Sequence, residues 1–390
     1  MAPHRGLNRD QFDVVVIGAG LAGLATACSL IGNGITSVLV LESEKVPGLH
    51  SSGRNAGLVR QAAEDPTTTQ LCVRGAELIR EWSSKSNPIF HRTGSLILAD
   101  SDQVSADSWD RVEHHSISES EVRRHYPELE AWPGGSARWT PGDGVVEVPA
   151  LIGEMIERIL LGGGQLALGS RAGRVRIPQP GQFQTEISSG DELGNSIQRV
   201  VHSRHVVIAN GAWARDFSEA SGVPAQLSPT NRGCLITERG DFGQQARPWI
   251  WAHVPGWYLR SHGHDLLWSA CEELPAEPGD DSLSQDLEEY WRRKIQPFWG
   301  KSISGAKLIH QWVGQRTFCP DQRFLLGEDP RCRGWHWAVG LGGHGVTSAL
   351  AVGEELAASI QGQGSIQGQG SSPEWAWSER RFTSETHRIS

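Results

Sequence analysis

Phe12-Asp13-Val14-Val15-Val16-Ile17 runs without a break into Gly18-Ala19-Gly20-Leu21-Ala22-Gly23, and this junction decides the fold. The first segment is apolar and β-branched, as a buried strand is, and the glycines turn it. From Leu21 the apolar residues recur at Leu24, Ala25, Cys28 and Ile31, which is helical spacing. Gly32 and Gly34 end that helix, and Ser37-Val38-Leu39-Val40-Leu41 reads as a second strand stopping at Glu42. Such a strand, glycine turn, helix and strand form a dinucleotide site. The first two glycines let backbone N–H groups approach a pyrophosphate at the positive end of the helix, and the third lets helix and strand pack closely. Glu42, nineteen residues after Gly23, is placed to accept hydrogen bonds from a ribose. The unit alone does not separate NAD from FAD.

At 390 residues the chain exceeds the usual single domain, so two domains are expected. Its 38% apolar and 21% charged content is that of a soluble globular protein. With 36 basic against 45 acidic side chains, a net charge of −9 and no basic run, nothing favours nucleic acid or an anionic membrane, and the expected partner is a small molecule. Residues 1–11 read as a flexible N-terminus without a secretory signal, and the glycine-cut segment from Val14 to Leu41 is no membrane span. A cytoplasmic enzyme is the expectation. Cys28, Cys72, Cys234, Cys271, Cys319 and Cys332 are scattered without metal-ligand spacing, which suits free thiols. His114-His115 and His262-x-His264 lack partners at ligand spacing and read as loop histidines.

Further along, Ser51 to Gly57 is a small-residue turn before a helical pattern through Leu71, Ala76, Leu78 and Ile79. The character changes between Pro88 and Pro141, where Gly94 to Ala99 reads as a strand and Ser118 to His125 as a charged helix. Pro149 suits the first position of a helix running to Leu161. Strands are expected at Gly173 to Ile177 and Val200 to Asn210, and antiparallel ones at Trp257 to Arg260 and Leu266 to Trp268. Trp335 to Val339 leads through Gly340-Leu341-Gly342-Gly343-His344-Gly345 into a helix through Leu350 to Ile360. Two copies of Ser-Ile-Gln-Gly-Gln-Gly follow from Ser359, so 362–390 reads as a low-complexity linker and tail. The sixteen tryptophans outnumber the twelve Phe and Tyr combined; they read as core and interface filling, with an aromatic substrate cage as the alternative.

With these motifs in hand the chain resembles the FAD-dependent oxidoreductases of the D-amino acid oxidase superfamily, which includes glycine oxidase, sarcosine oxidase and D-arginine dehydrogenase. The residues that carry the resemblance are Gly18 to Gly23 with Glu42, Ser52-Gly53-Arg54-Asn55-Ala56-Gly57, Gly314 to Asp321, Gly340 to Gly345, and the closing Ser378 to Phe382. It implies an α/β fold in which a Rossmann-like FAD-binding domain (12–86, 142–215 and 323–361) is interleaved with a mainly antiparallel-sheet substrate domain (87–141 and 216–322). FAD would lie extended, its pyrophosphate at Gly18 to Gly23 and its ring near Gly342 to Val346. Cofactor contacts are expected from Gly18, Gly20, Leu21, Ala22, Gly23, Glu42, Ser43, Ser52, Arg54, Asn55, Ala56, Gly57, Val175, Asn210, Gly211, Gly342, Gly343, His344, Gly345 and Val346. A helix N-terminus aimed at the pyrimidine edge would stabilise the charge that develops there on reduction.

The same resemblance implies site roles for Arg316, Tyr258 and His344. Arg316 stands where amino-acid-oxidising relatives hold the substrate carboxylate through a guanidinium fork, the alternative being a structural pair with Asp321 or Glu328. Tyr258 looks like the roof-strand tyrosine that shares that carboxylate, and His344 either tunes the flavin or fills a turn. Relatives that tether flavin use a cysteine at Gly314 or a histidine at Arg54, so FAD is expected to be non-covalent. The lysine that sarcosine oxidases place over the flavin is replaced by Leu266 or Leu267, which favours a dehydrogenase over an oxidase. The acceptor is then a quinone or carrier protein, with oxygen the alternative. The pocket histidine and tyrosine of D-arginine dehydrogenase fall near Leu58 and Ala63, so substrate identity does not transfer. The expected reaction is hydride transfer from the carbon beside the nitrogen of an amino acid or N-substituted amino acid to flavin N5, giving an imine that water hydrolyses. Oxidation of a 2-hydroxy acid or polyol, with a histidine such as His344 as base, is the rival enzyme reading; a non-catalytic assembly or regulatory flavoprotein is the other.

Overall fold

A computed structural model of the chain describes residues 9–98, 104–190, 196–240, 247–282, 286–300 and 305–362. The opening stretch forms a strand over Gln11–Ile17, a helix over Leu21–Gly32 and a strand over Val38–Leu41. Val14, Val15, Val16 and all of Val38–Leu41 are buried, because a parallel sheet is covered on both faces. Gln11–Ile17 pairs in parallel with Val38–Leu41 on one side and Ser196–Ile208 on the other. Gln165–Ala167 and Trp335–Val339 extend the parallel set outward. Ser170–Gln179, Gln182–Gly190 and Leu325–Glu328 add antiparallel strands, making eight.

The register sets Ile17 beside both Ile208 and Leu41, and Ile208 beside Trp337. Residues 18–23, Glu42, 209–211 and 340–343 therefore leave the sheet at one edge. That edge is the carboxyl ends of the strands, where open α/β sheets bind ligands. Behind it the Leu21–Gly32 helix packs on the Gly345–Ile360 helix so closely that a Cβ on Gly353 would lie 2.5 Å from the Ala25 carbonyl. Pro66–Trp82 packs on the same last helix and begins at Asp65, whose Oδ1 accepts the Thr67 and Thr68 amides at 3.0 Å each.

A second sheet of nine strands is antiparallel except where Trp249–Ala252 pairs with Ser95–Leu98. Ser228–Glu238 pairs with both Asp265–Ser269 and Leu308–Phe318. A helix over Leu287–Trp299 buries Leu287, Trp291, Ile295, Phe298 and Trp299 against this sheet. Trp268 meets Trp291 and Trp299 edge-on at 5.5 and 5.4 Å, the favourable arrangement of aromatic quadrupoles. These tryptophans are core filling, as expected. Strands of the two sheets alternate along the chain, and the first segments of each are separated by a three-stranded sheet of Leu58–Val59, Gly144–Val146 and Phe90–His91.

Most expected elements are present with shifted ends. The 173–177 strand extends over Ser170–Gln179, and the strand expected to reach Asn210 stops at Ile208. The charged helix is Glu119–His125, with Ser118 and Glu121 forming a capping box. The Pro149 helix spans Val148–Leu161, and the last helix spans Gly345–Ile360. The Ser-Ile-Gln-Gly repeat beyond residue 362 and Ser378 to Phe382 lie outside the described residues. Among the described residues no helix is long and apolar enough to cross a membrane.

Candidate active site

A cleft follows the carboxyl edge of the parallel sheet. One end, about 1730 Å³, is bounded by Gly18, Gly20, Glu42, Ser43, Asn210 and Gly211. It joins a second compartment of about 1190 Å³ across Gly20, Ser51, Ser52, Ala209 and Gly211, and this reaches Gly342, Gly343, Gly345 and Val346. The glycines do different work. Gly18 has a φ of +106° and abuts the Ala209 carbonyl, while a Cβ on Gly23 would lie 2.0 Å from the Gly18 carbonyl oxygen. Gly20 is extended, at φ −76° and ψ −179°, and its Cβ would meet only the Ser52 hydroxyl, at 3.0 Å.

Glu42 is more than a ribose ligand in waiting. Its Oε2 accepts the Ala19 amide at 2.8 Å, and its Oε1 accepts the Glu44 amide at 3.0 Å and the Ser43 hydroxyl at 3.2 Å. The carboxylate thus ties the second strand to the glycine turn, and Oε2 keeps a lone pair for a ligand hydroxyl. Ser52 Oγ accepts the Leu21 amide at 2.9 Å. Asn55 locks the neighbouring turn by donating to the Ser51 and Ser52 carbonyls (3.1 and 2.7 Å) and accepting the Gly57 amide (2.8 Å). Asn210 Oδ1 is buried without a partner at the cleft wall, as an acceptor awaiting a ligand donor is. Val175 faces the core instead, and its amide donates to Ser221 Oγ at 3.0 Å. Ala172 and Gly173 line that end of the cleft. A cleft with two helix N-termini, a glycine turn and an unpaired buried acceptor fits an extended dinucleotide such as FAD.

The far compartment carries Arg316 and Tyr258 together. Arg316 comes from Leu308–Phe318 and lies against Gly343, where a Cβ would be 2.9 Å from Nη1. Its side chain is 21% exposed, and the acid it pairs with, Glu273, stands at 3.9 Å, beyond hydrogen-bond reach. Burial, reinforced by Arg232, pushes its pKa down to about 10, so it stays charged at neutral pH. Tyr258 is buried, its hydroxyl 3.6 Å from Cys234 Sγ, and burial pushes its pKa well up, so it stays a neutral phenol. His344 is placed differently. Its ring is not among the cleft-lining groups but buried against Glu64 Oε2 (2.7 Å), Arg60 Nη2 (2.8 Å) and Cys72 Sγ (3.7 Å). Burial lowers its pKa, against the pull of Glu64.

Sequence reasoning missed Arg60, Arg232, Cys234, Trp249 and Trp251, all on this compartment's wall. Arg232 donates to Glu273 Oε1 at 2.5 Å and to the Glu272 carbonyl at 3.1 Å. A charged residue beside the apolar strand run Cys234-Leu235-Ile236 was the available signal. Leu266 and Leu267 are both buried, and Leu267 packs with Ala56 and Tyr258. Gly314 and Arg54 are in contact, a Cβ on Gly314 falling 2.3 Å from the Arg54 carbonyl oxygen. Arg54 itself pairs with Asp281 at 2.7 Å.

The family model for FAD-dependent oxidoreductases (DAO) matches residues 13–359. Mouse mitochondrial sarcosine dehydrogenase is 23% identical over 366 residues, covering 88% of this chain and 39% of that protein. The chain spans about two fifths of the length of the curated relatives it matches along most of its own length (39–43%). Among solved structures, L-proline dehydrogenase from P. horikoshii superposes with a TM-score of 0.79 at 21% identity, covering 91% of this chain and 94% of that one. Glycine oxidase from Geobacillus kaustophilus gives 0.76 at 19% identity, covering 92% and 96%. The fold is therefore that of these flavoenzymes, and the chain belongs to the DAO family of FAD-dependent oxidoreductases.

Proposed function

We propose that the chain oxidises the C–N bond of an amino acid or N-substituted amino acid, with Arg316 holding the substrate carboxylate. The observation that carries this is a charged guanidinium set against the Gly343 backbone beside Tyr258, with Glu273, the acid it pairs with, beyond hydrogen-bond reach. The names of sarcosine dehydrogenase and glycine oxidase support the substrate class. In this reading residues 12–86, 142–215 and 323–361 hold FAD and residues 87–141 and 216–322 roof it. Gly18 to Gly23 cradle the pyrophosphate, Glu42 Oε2 and Asn210 Oδ1 take hydroxyl groups, and the start of the Gly345–Ile360 helix faces the ring.

FAD, when bound, supplies the two-electron chemistry that converts the amine to an imine. Arg316 fixes the carboxylate through two parallel hydrogen bonds, and Tyr258 donates a third from its neutral hydroxyl. Trp249, Trp251 and Tyr258 exclude water from the reacting carbon. A neutral amine needs no base to lose a proton first, and the lining of this compartment contains no His, Asp, Glu or Lys among the described residues. Hydroxy-acid oxidation does need such a base. Anaerobic mixing with amino acids, N-methyl amino acids and hydroxy acids tests the reading: amines should bleach the flavin absorbance, and bleaching by hydroxy acids alone would overturn it.

The leucines at 266 and 267 support a dehydrogenase that passes electrons to a quinone or carrier protein. The lysine that sarcosine oxidases place over the ring to stabilise the charge formed as oxygen takes an electron is missing at these positions. Stopped-flow reoxidation by air should be slow, and rapid saturating reoxidation with stoichiometric peroxide would make the protein an oxidase.

A further inference from the structure

We propose that the ring compartment holds a second anion subsite, formed by Arg60 with the indole N–H groups of Trp249 and Trp251, so that the substrate is an amine carrying two acidic groups. The identity of the reacting amine rests on the preceding reading; the two-anion cleft rests on the charges that line it. Those charges are Arg54, Arg60, Arg232 and Arg316, with no carboxylate among the lining residues. Asp281 and Glu273, the partners of Arg54 and Arg232, stand back toward solvent with side chains 60 and 48% exposed, while Glu64 is shared between Arg60 and His344. Water screens the carboxylates, whereas the positive groups border a partly desolvated space where charge is felt more strongly.

Arg60 is 7% exposed, and only part of its guanidinium is engaged. Its Nη2 donates to Glu64 Oε1 at 2.7 Å and lies 2.8 Å from His344 Nε2, and the group stacks on Trp251 at 4.3 Å. Nη1 is buried with no partner. The indole nitrogens of Trp249 and Trp251 on the same compartment's wall are also buried without partners. Other indole nitrogens are buried without partners in the core, but these two and Arg60 Nη1 belong to cleft-lining residues, where an acceptor entering from outside would meet them. All three are donors only, so they take an acceptor, and the charge on Arg60 favours a carboxylate.

Arg316, against Gly343, and Arg60 line the same compartment. A substrate whose first carboxylate is on Arg316 can carry its second to Arg60. A monoacid leaves Arg60 and the indoles empty.

Malonate, succinate and glutarate, titrated into the FAD-loaded chain alongside acetate, propionate and butyrate, test this through perturbation of the flavin spectrum. The best dicarboxylate should bind on the order of tenfold to a hundredfold more tightly than any monocarboxylate, the value of one added charge-assisted contact. Arg60→Met should lose that margin, and Arg60→Lys, which keeps the charge without the fork, should retain part of it. Flavin content and the melting temperature report whether each variant is folded; if Arg60→Met is not, the wild-type ratio and Arg60→Lys decide. Equal affinity for both series in the wild type overturns the proposal, as does a margin undiminished in folded Arg60→Met. None of these ligands is an amine. Dicarboxylate preference without flavin bleaching by any amine would sink the amine-oxidation reading and leave the subsite standing. Amine oxidation without the preference would do the reverse.

Discussion

Gly23→Ala is the substitution for which the structure makes the strongest demand. A methyl group there would lie 2.0 Å from the Gly18 carbonyl oxygen and 3.2 Å from Ala209 Cβ. Restoring ordinary contact requires the helix start and the turn to separate by more than about 1 Å, and overpacking of this kind costs about 1–3 kcal/mol. Alanine's better helix propensity returns at most about 1 kcal/mol, so the net effect is destabilising. The displaced groups include the Leu21 and Ala22 backbone, part of the proposed pyrophosphate cradle, so flavin affinity should fall with stability. Gly32→Ala is the control, because it ends the same helix away from the turn and its Cβ would meet nothing within 4 Å. Melting curves with and without added FAD, with the flavin-to-protein ratio after desalting, measure both effects. Gly32→Ala should stay yellow; Gly23→Ala should melt lower, purify colourless and gain little from added FAD. A Gly23→Ala protein with full flavin and an unchanged melting temperature would refute the packing argument.

Arg316→Met should retain FAD but lower kcat/KM for a carboxylate substrate by about tenfold to a hundredfold or more, as expected for losing charge-assisted bonds of about 1.5–3 kcal/mol each; unchanged kinetics would make the residue structural. Acid precipitation should release FAD into the supernatant, since the Arg54 carbonyl fills the space a side chain at 314 would need, and yellow colour remaining with the pellet would contradict this. Stability should fall as pH drops below about 6.5, because burial holds the folded-state pKa of His336 down at about 3 while the unfolded chain takes up the proton. The contribution is fully present above 6.5 and is lost progressively toward 3; His336→Phe should flatten that limb of a denaturation-against-pH series, and an equally steep limb in the variant would assign the effect elsewhere.

The glycine turn, its flanking strands and the last strand, turn and helix were legible because each rests on local periodicity and backbone freedom. The helix at Leu287–Trp299 carries the same kind of signal in the spacing of Leu287, Trp291, Ile295 and Phe298, but Pro297 stands inside it, and a proline in a helical pattern argues against the pattern's continuing. Arg60 and Arg232 are different. Whether an arginine lines a cleft depends on which face of its segment is covered, and for Arg60 that is settled by Trp251 and His344, far along the chain. His344 shows the same limit: its turn was readable, but its ring direction is set by Glu64, 280 positions earlier. Val175 lies beyond a register irregularity between Ala172 and Val175 and packs in the core, while Ala172 and Gly173 stay at the cleft, a break that alternation in the sequence does not reveal.

The packing of Leu21–Gly32 on Gly345–Ile360 has a consequence for how the protein comes into being on the ribosome. The dinucleotide turn is made within the first forty-odd residues, yet the helix that backs it and the ring-facing turn at 340–346 emerge some three hundred residues later. Contacts of such separation form late and slowly. A nascent chain halted before Gly340 would leave the Leu21–Gly32 helix without the helix that backs it and the flavin compartment without its end wall, so cofactor capture has to follow synthesis of the last helix and becomes the step that closes the fold.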